Sequence, residues 1–171
     1  GLRSTYVASV LGIPLMLERH GLIANISSMG ATSYLHSVAY GAAKAGIDKV
    51  AADLAYELRG HGVTAVSLWP GLVRTELILS QCSEDENGKL VMSLPDHDET
   101  ISLDHSESPR FSGMAVASLY QDEKRLDRTG GAYPCAELAL EYGYTDLDGN
   151  QPPVMRSFEE SAAALPSLFN Q

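Results

Sequence analysis

At 171 residues the chain can bury the core of one domain, and its 44% hydrophobic and 20% charged residues are the balance of an ordinary globular protein. A net charge of −10 excludes binding to nucleic acid or to an anionic membrane by charge alone. Two cysteines, Cys82 and Cys135, are too few for a disulfide scaffold, have no metal-ligand spacing and fit a reducing, cytoplasmic setting.

The first expected element is an amphipathic helix over Leu2–Arg19, because Leu2, Tyr6, Val10, Ile13 and Leu17 recur at helical spacing. Pro14 should bend it or loosen its last turn. The longest apolar run, Tyr6–Leu17, is too short and too broken by Gly12 and Pro14 to span a bilayer, and it lacks a signal-peptide cleavage pattern. His20-Gly21 should close this helix, with the glycine taking the left-handed stop. Leu22–Ser27 then predicts a short strand, and Ser28–Val38 a loop whose Met29, Tyr34 and His36 can face a ligand. His36 has no identifiable partner and reads first as a solvated loop histidine.

Ala39–Arg59 is the strongest helical pattern and ends at Gly60-His61-Gly62. Val63–Trp69 predicts a second strand. Strand, long helix, strand implies a right-handed crossover between parallel strands, with ligands beyond their carboxyl ends. Glu76–Glu107 is the least determined stretch. Acidic runs at Ser83–Asn87 and Asp96–Glu99, with Gly88 and Pro95, suggest a solvated loop. Asp96, His97, Asp98, Asp104 and His105 match no metal-binding spacing, so no metal site is expected. Ser108-Pro109 should open a helix to about Tyr120, followed by a polar connection and a last strand over Gly130–Leu138. Asp146-Leu147-Asp148-Gly149 begins like a calcium loop, but Pro152 and Pro153 follow and a turn fits better. Ser157–Gln171 is expected to be a short helix or a mobile end.

Three motifs carry chemistry. Tyr40-Gly41-Ala42-Ala43-Lys44 puts a phenol and an ammonium one helical turn apart, where the cation favours the phenolate. Asn25-Ile26-Ser27-Ser28 delivers a hydroxyl to a strand end. Trp69-Pro70-Gly71-Leu72-Val73-Arg74-Thr75 is a turn in which Pro70 fixes the backbone and Gly71 permits close approach. In this order the motifs resemble the short-chain dehydrogenase/reductase family over about Leu2–Tyr144. The interval from Ser28 to Tyr40 is one residue shorter than the family's commoner spacing, so Ser27 is the alternative serine.

The resemblance implies an α/β, Rossmann-type doubly wound parallel sheet, with residues 1–144 the C-terminal part of one oxidoreductase domain and 145–171 an extension. No glycine-rich phosphate loop occurs in the chain, so the cofactor-binding half is expected ahead of Gly1, where the resemblance also implies a catalytic-site Asn. By resemblance Ser28, Tyr40 and Lys44 are catalytic, and Tyr40, Lys44, Pro70, Gly71, Val73 and Thr75 meet NAD or NADP. The same likeness implies a small carbonyl or alcohol substrate, exchanged by hydride transfer with Tyr40 as general acid/base, and a homodimer or homotetramer built through the helix pair. Two other readings are a nucleotide-sugar epimerase or dehydratase, which shares Tyr-x-x-x-Lys, and a truncated relative serving as a dimerising scaffold.

Overall fold

A computed structural model describes residues 1–17, 19–93 and 100–157. In chain order the elements are α1 (Leu2–Gly12), β1 (Leu22–Ile26), α2 (Val38–Leu58), β2 (Thr64–Trp69), α3 (Glu76–Leu79), β3 (Cys82–Glu84), β4 (Leu90–Ser93), β5 (Thr100–Ser102), α4 (Pro109–Gln121), β6 (Ala132–Pro134) and α5 (Cys135–Tyr142).

β2 is the centre of a parallel sheet ordered β1-β2-β6, with Leu22 opposite Thr64 and Ser67 opposite Ala132. All six β2 residues are buried. Successive side chains of a strand point to opposite faces, and β2 uses this to join two cores. Ala65 packs with Ile23, Leu54, Ala55 and Leu58 on the α2 side. Val66 and Leu68 pack with Phe111, Ala115, Leu119 and Leu138 of α4 and α5 on the other. Strands buried on both faces under helices are the mark of α/β sheets. The expected parallel crossover is therefore present, and the carboxyl ends of β1 and β2 lie side by side: the Ser27 N–H donates to the Leu68 carbonyl at 2.8 Å.

Several boundaries differ from expectation. The first helix stops at Gly12 and tightens into a 3-10 turn over Ile13–Leu15, because Pro14 has no N–H to continue the α-helical ladder; Glu18 lies outside the described residues. His20, not Gly21, takes the left-handed conformation, at φ 50°. Gly21 is needed for space instead, since a Cβ there would lie 2.5 Å from the Met16 Cβ.

The described residues between Glu76 and Glu107 form more secondary structure than their composition suggests. After α3, the strands β3, β4 and β5 form an antiparallel sheet, in which Lys89 pairs with Asp104. Asp96, His97, Asp98 and Glu99 lie outside the described residues. The last strand ends at Pro134 rather than Leu138. A proline cannot donate onward in the ladder, and Ala136, Leu138 and Ala139 enter α5 with the apolar face of that helix buried. Of the expected C-terminal helix, residues 158–171 lie outside the described residues. No helix among the described residues is long and apolar enough to cross a membrane.

Candidate active site

Ser37 opens α2 by accepting the Tyr40 N–H at 3.2 Å, the N-cap arrangement that satisfies a free donor in a first helical turn. This places Tyr40 in the first turn and Lys44 one turn further, both beside the end of β1. The Tyr40 hydroxyl donates to Ser28 Oγ at 3.0 Å, and Gly30 N–H donates to the same oxygen at 3.1 Å. A hydroxyl oxygen has two acceptor positions and one proton. With both positions used, the Ser28 proton is left to be donated elsewhere.

Ser27 is excluded from this contact by the alternation of the strand. Its hydroxyl donates to the Lys44 carbonyl at 3.0 Å and ties β1 to α2. The Lys44 Nζ lies 5.5 Å from the Tyr40 ring centroid and makes a long, 3.4 Å bond to the Ile26 carbonyl. Burial pushes the Lys44 ammonium below the ordinary lysine range, and the Asp48 carboxylate opposes that shift. Asp48 itself accepts from Ser67 Oγ at 2.5 Å and Trp69 Nε1 at 3.2 Å, which fixes α2 against β2.

The turn after β2 begins next to this group. Gly71 N–H donates to Glu107 Oε1 at 2.9 Å. The Glu107 N–H donates to the Leu72 carbonyl at 2.7 Å, and Arg74 N–H donates to the Glu107 carbonyl at 2.8 Å. Val73 pairs with Glu107 as a parallel bridge, and its carbonyl accepts from Thr75 N–H at 2.7 Å. Thr75 caps α3 by accepting Ile78 N–H at 3.3 Å. A Cβ on Gly71 would meet Glu107 Oε1 at 3.0 Å and Met155 Sδ at 3.5 Å. Glycine here therefore allows approach to Glu107 from behind the turn.

The structure thus brings Ser28, Tyr40 and Lys44 into one constellation, with Pro70, Gly71, Val73 and Thr75 on the adjoining turn. Several neighbours were not legible as site residues. Asp48 stands one helical turn after Lys44, a spacing that could have revealed it. Gly30 presses on the Tyr40 ring, since a Cβ there would lie 2.7 Å from Tyr40 Cε1. The His36 ring stands edge-on to Tyr40 with centroids 4.8 Å apart, so it has a partner after all; Tyr34 is exposed. Glu107 and Asp146 reach the site across long stretches of chain, and no local pattern marks them. The Asp146–Gly149 segment is a turn, as its prolines suggested: Asp146 takes the N–H and hydroxyl of Ser108, and Asp148 pairs with Arg74 at 2.9 Å.

Comparison with known proteins gives this geometry a context. The profile of the short chain dehydrogenase family matches residues 1–86. Dehydrogenase/reductase SDR family member 1 of Homo sapiens is 42% identical over 151 residues, covering 87% of this chain and 47% of that protein. The chain spans about half the length of the curated relatives it matches. A crystal structure of a short chain dehydrogenase from Mycobacterium thermoresistibile shares the fold, with a TM-score of 0.61 at 24% identity over 90% of this chain and 52% of that one. A mutant 4-hydroxyisoleucine dehydrogenase complexed with NADH and succinate gives a TM-score of 0.60 at 25% identity over 78% of this chain and 53% of that one. By the match over half its length, its parallel α/β sheet of Rossmann type and its likeness to these proteins, the chain belongs to the short-chain dehydrogenase/reductase family.

Proposed function

We propose that this chain carries the catalytic portion of an oxidoreductase that interconverts a small carbonyl compound and a secondary alcohol with NAD or NADP. The observation that carries the reading is the hydrogen bond from the Tyr40 hydroxyl to Ser28 Oγ at 3.0 Å, with the Lys44 ammonium 5.5 Å from the Tyr40 ring. The donor set fits a nicotinamide nucleotide. Lys44 carries three donors and spends one on a 3.4 Å contact with Ile26, which leaves capacity for ribose hydroxyls. The Pro70–Thr75 turn offers backbone groups for a carboxamide. The relative complexed with NADH supports the cofactor class.

The nicotinamide ring, when bound, supplies or accepts the hydride. Ser28 donates its remaining proton to the substrate oxygen, where negative charge develops during reduction. Tyr40 protonates that oxygen, and in the reverse direction its phenolate accepts the alcohol proton. Lys44 stabilises the phenolate through its charge, and Asp48 keeps Lys44 protonated. Exposed Tyr6, Val10 and Leu11 of α1 and Tyr56 of α2 support pairing of these helices with a second copy of the chain.

The test is a titration of the full-length protein with NADH and NADPH followed by nicotinamide fluorescence, then turnover on a panel of aldehydes and ketones. Saturable binding with carbonyl reduction supports the reading. Binding of neither nucleotide overturns it and moves the scaffold reading to first place.

A further inference from the structure

Glu107 takes no part in the proton chemistry above, yet it is among the most buried polar residues, at 1% exposure. It meets the Pro70–Thr75 turn at three points. Its carboxyl accepts the Gly71 N–H, its N–H holds the Leu72 carbonyl and its carbonyl holds the Arg74 N–H. Gly71 leaves room for this contact, since a Cβ there would press on the carboxyl at 3.0 Å. Main chain and side chain of one residue thus set the position of the whole turn.

The carboxyl is poorly supported for a buried anion. Oε1 has the single Gly71 donor, and Oε2 is buried without a partner among the described residues. The nearby cation is committed elsewhere: the Arg74 guanidinium bonds the Ser106 carbonyl at 3.1 Å, pairs with Asp148 at 2.9 Å and faces Asp146 at 3.6 Å. Asp146 could have shared donors with Glu107, but it takes both the N–H and the hydroxyl of Ser108. The other groups facing Glu107 are neutral. Burial pushes the Cys135 thiol of α5 up to about 12 and raises the Tyr144 phenol as well. Among the described residues, Asp146 is the carboxylate that acts on it through charge.

We propose that Glu107 is a positioning residue for the cofactor turn, and that its carboxyl is a proton-operated clamp on the nicotinamide end of the site. The proposal rests on the reading of Pro70–Thr75 as a cofactor turn. As an anion, Glu107 makes a charge-assisted bond to Gly71 N–H, about twice as strong as a neutral one. As an acid, it holds the same N–H more weakly and the turn loosens. The switch falls in the neutral range because burial, with Asp146 adding to it and the Gly71 N–H opposing, raises the carboxyl to about 7. The grip on the cofactor therefore weakens as pH falls through neutrality, through a group that does not touch the cofactor.

The experiment measures the dissociation constant for NADH or NADPH by nicotinamide fluorescence from pH 5.5 to 8.5, in the full-length wild type and in Glu107→Gln. The substitution keeps the shape and a neutral acceptor. The wild type is expected to bind about three- to tenfold more weakly at the acid end, with an inflection near pH 7. Glu107→Gln should lose that inflection and stay near the wild-type acid value throughout. An inflection that belongs to any other group would remain in both proteins. Nucleotide binding with the same inflection in both proteins overturns the clamp alone, whereas binding of no nucleotide by either overturns the cofactor reading and the clamp with it. A carbon-detected titration of the Glu107 carboxyl in the wild type stands independently of the variant. A midpoint near 7 is expected, and one in the ordinary carboxylate range contradicts the proposal.

Discussion

Gly30→Ala tests how tightly the tyrosine is seated. The Cβ would lie 2.7 Å from Tyr40 Cε1, 3.1 Å from Tyr40 Cδ1 and 3.1 Å from Ser28 Oγ. Ordinary carbon–carbon contact begins near about 3.5 Å, so the ring must retreat by roughly 1 Å. Gly30 is not among the glycines with positive φ, so alanine fits the backbone and only the space is at issue. Tyr40 is half-buried and can swing towards solvent, which keeps the stability cost at the low end of overpacking, about 1 kcal/mol. The catalytic cost is larger, because displacing a reacting group by about 1 Å can cost about a hundredfold in rate. The assay is steady-state turnover with urea unfolding on the same sample. A fall in kcat of about a hundredfold, with small stability loss and unchanged cofactor affinity, is expected. Turnover within about threefold of wild type would refute the claim that Gly30 sets the position of Tyr40.

Three further outcomes follow from the neighbours of the site. Asp48→Asn keeps an acceptor for Ser67 and Trp69 but removes the charge that holds up the Lys44 ammonium, so the alkaline limb of the pH–rate profile should move to lower pH with little change in stability. Asp146→Ala removes the acceptor for Ser108 N–H, Ser108 Oγ and Leu147 N–H, and urea unfolding should show a loss of about 2–4 kcal/mol. Glu107 keeps its proton in the folded state to about pH 7, whereas an unfolded glutamic acid releases it near 4.5. Its contribution to stability is therefore fully present below pH 4.5 and lost as pH rises through 7; relative to Glu107→Gln the wild type should lose roughly 3 kcal/mol across that window, at about 1.4 kcal/mol per unit.

The neighbourhood of the candidate residues Ser28, Tyr40 and Lys44 was legible because its signals are local. Tyr40 and Lys44 share a helix face through their spacing, and Ser28 follows the apolar strand β1 in extended backbone, where the alternation of side chains points it at Tyr40. The same alternation sends Ser27 to the Lys44 carbonyl, a choice the sequence left open. The residues that hold the turn were not legible. Glu107 reaches Gly71 across 36 positions and Asp146 reaches Ser108 across 38, and nothing in the intervening sequence marks either pair. The β3–β5 sheet was hidden for a related reason. Its strands are three or four residues long and carry serine, glutamate and lysine neighbours, so pairing rather than propensity forms them. At Pro134 a run of apolar residues looked like a strand but turned into a helix, because the proline ends the ladder and alanine and leucine then favour α5.

Tyr40→Phe removes the hydroxyl proposed to move the proton and keeps the ring. The measurement is single-turnover hydride transfer in the full-length protein, with cofactor affinity measured on the same sample. Losing a general acid/base costs about a hundred- to ten-thousandfold. A fall of that size with cofactor affinity within about threefold of wild type is the predicted result, and hydride transfer at the wild-type rate would contradict it.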